Sequence, residues 1–207
     1  MPEGMTIIRT IPEAEATGDV AALYADDLET IGYVAPQTKT MAMNPAAFRA
    51  FEELIGSVAG PLGPRRYELV TLAAALGTGS RHCRLAHGAK SLQLFDEEQL
   101  ERIARDYADA GLTDAEVAMM RFAEQVGRDA ASMTEADAQR LRAAGFADGE
   151  IVDITIAASA RRYFSSALQG LAVEVDVPPM LSESLRVALL EGIEASDAAA
   201  PAARISA

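Results

Sequence analysis

The tripeptide Gly77-Thr78-Gly79 cuts one apolar helical run from the next, and the residues on either side of it constrain the fold most. Before it, Arg65 to Leu76 sets Leu69, Leu72, Ala73 and Leu76 at helical spacing. After it, Ser80 is placed to cap a helix carrying Cys83, His87, Ser91 and Leu94. If these two helices pack as an antiparallel pair, Glu68 on the first comes near the start of the second.

The rest of the chain reads the same way, as helices separated by turn residues. Asp19 is expected to cap a helix with Val20, Leu23, Tyr24, Leu28 and Ile31 on one side, stopped by Gly32. Val34-Ala35-Pro36 is a turn, because the residue before proline is pushed out of the helical region. Asn44-Pro45 opens a helix through Phe48, Phe51, Leu54 and Ile55, and Gly60-Pro61-Leu62-Gly63-Pro64 is the clearest break. Asp96 starts a further helix. Thr113…Glu116 and Thr134…Asp137 read as capping boxes. Gly145-Phe146 ends one helix, and Asp148 begins a long one that reaches about Leu171. Val173 to Val177 reads as a short strand or an extended linker, and Pro178-Pro179 as the opening of a last helix with Leu181, Leu185, Leu189 and Ile193. Aromatic residues make up only 5% and tryptophan is absent, so the core must come from Ala, Leu, Ile, Val and Met. Such a core suits close helix packing. The expectation is an all-α bundle of about eight helices: residues 1–18 an extended lead-in, 19–195 a single domain, 196–207 a flexible Ala-rich tail.

Charge narrows the function. The 31 acidic and 18 basic side chains give a net charge of −13, which argues against nucleic acid or an anionic membrane surface as partner. No apolar run approaches the roughly 20 residues of a membrane span, and no secretory signal is visible. A cytoplasmic protein is expected. The single cysteine, Cys83, excludes an intrachain disulfide and a zinc site built on several thiolates. No metal or other cofactor is expected.

The only histidines, His82 and His87, stand within a six-residue window that also holds Cys83. Residues three and four apart share a helix face, so Ser80, Cys83 and His87 form one stripe. Cys83 falls in the first turn, where the helix dipole favours thiolate over thiol. His87, one turn on, is placed to take the thiol proton, and a carboxylate from Glu68 would orient its ring. Ser80 is expected as a cap and as a hydrogen-bond partner for the thiolate. His82, beside Arg81, is expected to face solvent or an outer layer of the site. A lone cysteine in an apolar helical protein can also be simply a small buried hydrophobe.

The spacing of Glu68, Ser80, Cys83 and His87 in RRYELVTLAAALGTGSRHCRLAHGAKSL resembles the alkylhydroperoxidase AhpD-like, or carboxymuconolactone decarboxylase, family. Peroxidase members carry a Glu followed by Cys-x-x-Cys-x-x-x-His at this spacing. DVAALYADDLETIGYVAPQTKTMAMNPAAFRAFEEL resembles the lead-in of the longer, peroxidase-related members. LTDAEVAMMRFAEQV and LRAAGFADGEIVDITIAASARRYFSSALQGLAVEVD resemble their C-terminal half, so the likeness runs over roughly residues 19–176. It implies an AhpD-like helical bundle and a homo-oligomer. It implies an oxidoreductase in which Cys83 attacks a small peroxide, with Glu68, His87, His82 and Ser80 in the site. Ser80 replaces the family's first cysteine, the one that resolves the oxidised partner. A sulfenate at Cys83 would then need an external thiol reductant or a second subunit's thiol. The decarboxylase branch implies an alternative, a lyase or isomerase in which Glu68 and His87 act on a small carbonyl or lactone substrate. There Arg161 and Arg162 are the nearest candidates to hold a carboxylate. A non-enzymatic family member is a third reading.

Overall fold

The computed structural model describes residues 7–193. The expected tail at 196–207 and the first six residues of the lead-in lie outside the described residues. Among the described residues nine α-helices follow in order: α1 (Gly18–Thr30), α2 (Pro36–Met41), α3 (Pro45–Gly77), α4 (Arg81–Ser91), α5 (Glu97–Asp106), α6 (Asp114–Asp129), α7 (Glu135–Ala143), α8 (Asp148–Gly170) and α9 (Glu183–Leu190). Short 3-10 turns stand at Glu13–Glu15, Tyr107–Asp109 and Ala130–Ser132. Among the described residues there is no strand, as the all-α expectation required. No described helix is long and apolar enough to cross a membrane.

Helix α3 is the spine. Pro45 opens it, with Asn44 Oδ1 accepting the Ala47 N–H. The expected break at 60–64 is confined to Gly63, the one residue with non-helical angles (φ 74°, ψ 157°). Pro64 pushes its predecessor out of the helical region, and glycine tolerates the positive φ that results. The second half of α3 packs on α6, α8 and α4. Its approach to α6 is tight: a Cβ on Gly77 would fall 2.1 Å from the Glu124 carbonyl oxygen, and one on Gly127 2.5 Å from that of Ala74. Neither position can carry a side chain without moving backbone.

Several local expectations are corrected. The cap of α1 is Thr17, with Asp19 inside the first turn, where its charge suits the helix dipole. Leu28 of that helix is half exposed. Pro178-Pro179 does not open the last helix; Ser182 does, its Oγ accepting the Leu185 N–H. Residues 173–177 form neither strand nor helix. Ile7 docks through its N–H on the Leu171 carbonyl (3.2 Å) while its side chain stays exposed. The box at Thr113…Glu116 forms in full, whereas at Thr134…Asp137 only the carboxylate half does, Asp137 Oδ2 accepting from the Thr134 N–H and O–H.

The apolar interior divides in two. The larger cluster joins the second half of α3 to α4, α5, α6, α9 and the start of α8, through Leu69, Leu85, Leu100, Met119 and Ile154. The smaller joins Leu23 and Tyr24 of α1, Val34, Ala42, Phe48 and Phe51 to Phe164 and Leu168 of α8, and it contains Cys83. Phe51 and Phe164 stack at 4.8 Å between centroids. The N-terminal helices therefore cover the cysteine end of α4. At the other side of α4, Arg84 is fully buried and donates to the carbonyls of Leu189, Leu72 and Ala104. Burial pulls its guanidinium down to about 10, still charged at neutral pH. It ties the carboxyl-terminal turns of α5 and α9 to the helix that carries Cys83 and His87.

Candidate functional site

Thr78 ends α3, Gly79 turns the chain at φ 66°, and Ser80 caps α4 with its Oγ accepting the Cys83 N–H at 3.3 Å. That turn sets Cys83 in the first turn of α4 and runs α4 back along α3. The expected antiparallel pairing follows, and it brings Glu68 to His87: Glu68 Oε2 accepts from His87 Nδ1 at 2.7 Å, both side chains buried. Tyr67, next to Glu68, meets the His87 ring edge-on at 6.2 Å between centroids.

The electrostatics assign the proton. Burial pushes His87 down to about 4, helped by the nearby Arg161 cation and only partly offset by Glu68. Glu68 stays below the ordinary carboxylate range: burial opposes its charge, but His87, Lys90 and Arg161 outweigh it. At neutral pH the pair is a carboxylate accepting an N–H from a neutral imidazole. The proton of that imidazole is on Nδ1, so Nε2 carries the lone pair, the form of a general base.

Around the sulfur the structure differs from the expectation. Among the described residues, the hydrogen bonds to Cys83 Sγ come from α8: Ser165 Oγ donates at 3.2 Å and Arg161 Nη1 at 3.7 Å. Ser80 Oγ accepts the Cys83 N–H and so acts as the cap, and among the described residues no hydrogen bond runs from it to the sulfur. For His82, only the solvent-facing alternative is overturned. Its Nε2 bonds the Val173 carbonyl oxygen at 2.7 Å and it is buried. It tethers the chain leaving α8 to the first turn of α4.

Arg161 was singled out only as a carboxylate holder, and Ser165 not at all. A signal for both existed. Ile154, Ala157, Ala158, Arg161, Phe164, Ser165 and Leu168 recur every three or four residues and are all buried. An arginine and a serine one turn apart on such a stripe must face something polar inside the protein. Arg161 Nη2 also donates to Tyr67 Oη at 3.3 Å. Burial disfavours its charge, yet Cys83 and Tyr67 more than offset this, and its pKa is raised. Arg162, by contrast, is exposed and donates to the Gly127 carbonyl. No group of three or more His, Cys, Asp or Glu side chains able to hold a metal occurs among the described residues. A cavity between α6 and α7, lined by Phe122, Gln125, Asp137 and Arg140 among others, shares no residue with this set.

Residues 45–125 match the carboxymuconolactone decarboxylase family. The fold matches the AhpD-core, uncharacterized peroxidase-related protein of Ralstonia eutropha JMP134 with a TM-score of 0.73 and 21% identity, over 91% of this chain and 98% of that one. A peroxidase-related protein of Silicibacter sp. TM1040 matches with a TM-score of 0.74 and 24% identity, over 85% and 95%. A protein of Agrobacterium tumefaciens, named for an AhpD role in antioxidant defence, matches at 0.60 and 25% identity, over 67% and 96%. No curated protein matches the sequence.

Proposed function

We propose that this chain, whose residues 45–125 match the carboxymuconolactone decarboxylase family and whose fold is AhpD-like, is a thiol-dependent, peroxidase-related oxidoreductase working through the single cysteine Cys83. The observation that carries the reading is the convergence on one buried sulfur: a hydroxyl and a guanidinium donate to Sγ from α8, and a Glu68–His87 proton pair stands one turn along α4. The names of the structural relatives point to the same chemistry.

The cycle balances as follows. The Cys83 thiol gives its proton to the His87–Glu68 pair. The thiolate attacks one oxygen of a hydroperoxide; an S–O bond forms, the O–O bond breaks, and the proton goes to the departing alkoxide. The products are a Cys83 sulfenic acid and an alcohol, or water from hydrogen peroxide. Ser80 offers no thiol, so an external thiol condenses with the sulfenic acid, releasing water and leaving a mixed disulfide. A second external thiol attacks that disulfide, restores Cys83 and leaves as the oxidised reductant.

Dimedone trapping tests the central step. Wild-type protein treated with a small hydroperoxide is expected to gain one adduct by intact mass, and Cys83→Ser none. An unreacted Cys83 would overturn the reading. Turnover of small lactones or β-keto acids that survives Cys83→Ser and is lost in His87→Ala would establish the acid–base alternative instead.

A further inference from the structure

Arg161 is a buried cation without an acid. Its side chain is 5% exposed, and no ion pair to it occurs among the described residues. A guanidinium carries five N–H donors in a fixed fork. Here one reaches the Cys83 sulfur at 3.7 Å, another the Tyr67 hydroxyl at 3.3 Å, and the Nε hydrogen, sealed from solvent, has no partner among the described residues. Two long bonds and an orphan donor are poor satisfaction for a charge this deeply buried, since buried charges are normally paired. Glu68, the carboxylate whose charge bears on it, is already engaged by His87 at 2.7 Å.

We infer that Arg161 is the anion-recognition residue of the Cys83 site, and that the reactants it selects are small electrophiles bearing a carboxylate. Planar guanidinium donors fit a carboxylate better than any other side chain does. The carboxylate takes the underused donors while the reacting atom, one or two bonds away, meets the sulfur beside them. Size is limited because Cys83, His87, Tyr67 and Ser165 are all buried. The inference rests on Cys83 being the reacting atom and adds the substrate class.

A pair of alkylating probes isolates the effect. Iodoacetate and iodoacetamide deliver the same carbon to the same sulfur and lose the same iodide; they differ in carrying a carboxylate or an amide. The ratio of their rates therefore cancels ionisation of the thiol and opening of the site. In wild-type protein the iodoacetate-to-iodoacetamide ratio at Cys83 is expected to exceed that of a simple cysteine amide in the same buffer about tenfold, equivalent to about 1.4 kcal/mol. Arg161→Met should bring the ratio to that of the model thiol and Arg161→Lys should keep part of it. Arg162→Met, changing an exposed neighbour, should leave it unaltered. A wild-type ratio equal to the model thiol's overturns the inference whether or not any variant folds. So does a raised ratio that survives Arg161→Met, or a Cys83 that reacts with neither probe. Peroxide reactivity with a flat ratio refutes the carboxylate preference alone; a raised ratio without peroxide reactivity refutes the peroxidase reading alone.

Discussion

His87→Asn tests the proton assignment on which the proposed chemistry depends. Asparagine keeps an N–H donor near the Nδ1 position, facing Glu68, and does not titrate. In the folded protein His87 charges at about 4, whereas in the unfolded chain it charges near the ordinary value of about 6.5. Below about 6.5 the unfolded state therefore binds a proton that the folded state refuses, and stability falls as pH falls through the window from about 6.5 to about 4. Linkage gives a loss of about 2 kcal/mol by pH 5 and about 3 kcal/mol once pH passes below the folded value. The variant lacks this loss. In the wild type Glu68 stays ionised through this window, since its own pKa lies below the ordinary value. Urea unfolding of both proteins from pH 4.5 to 7.5 reads the difference. Wild type should weaken relative to His87→Asn by about 2 kcal/mol between pH 7 and pH 5. The opposite slope, with wild type gaining as pH falls, would mean an imidazolium paired with Glu68. His87 would then be no base at neutral pH, and the proton path proposed here would be wrong.

Two further outcomes follow from the way the site is covered and capped. Leu23→Ala removes a buried side chain from the cluster over Cys83 and should cost about 2–5 kcal/mol. It should also speed iodoacetamide labelling of Cys83 more than an equally destabilising Leu100→Ala in the other cluster does; equal acceleration would mean that access needs global opening. Ser80→Cys weakens a helix cap by about 0.5–2 kcal/mol and sets a second thiol one turn from Cys83. Mild oxidant should take the free-thiol count from two to none and raise thiol-dependent peroxide turnover, and two persisting thiols would refute this.

Much of the fold could be read from residues whose effects are local. Asn44-Pro45 and Thr113…Glu116 satisfy helix-end donors within four residues as read, and at Thr134…Asp137 the carboxylate half of the box does so. The misreadings came where a distant element decides. Pro178-Pro179 has the signature of a helix start, but Leu181 is drawn into the larger cluster and the helix begins only after it. Leu28 matches the period of α1 but lies off the face that α1 buries, which centres on Leu23 and Tyr24. The kink of α3 looked like a break because five consecutive breaker residues suggest a loop; packing on both sides holds the helix direction except at Gly63.

The site divides along the same line. Glu68, Cys83 and His87 were legible because α3, the tight turn at Gly79 and α4 are contiguous, so helical spacing alone predicts their meeting. The sulfur's other partners come from α8, some 80 residues further on, where spacing carries no information about what faces what. Ser80 shows the consequence. The stripe it shares with Cys83 predicts both a cap and a partner for the sulfur; Ser80 Oγ accepts the Cys83 N–H as the cap, while the described hydrogen bonds to the sulfur come from elsewhere. Support for the sulfur then falls to Ser165 and Arg161. This separates two functions that a second cysteine at position 80 would have combined near one turn: chain geometry at the helix start, and chemistry at the sulfur. On the reading proposed above, a chain so arranged has a nucleophile and a proton pair, no internal resolving thiol, and a buried cation that donates to the sulfur from α8. If that reading and the carboxylate preference inferred for Arg161 both hold, its chemistry is governed by which anionic reactant reaches Arg161 and which external thiol follows it.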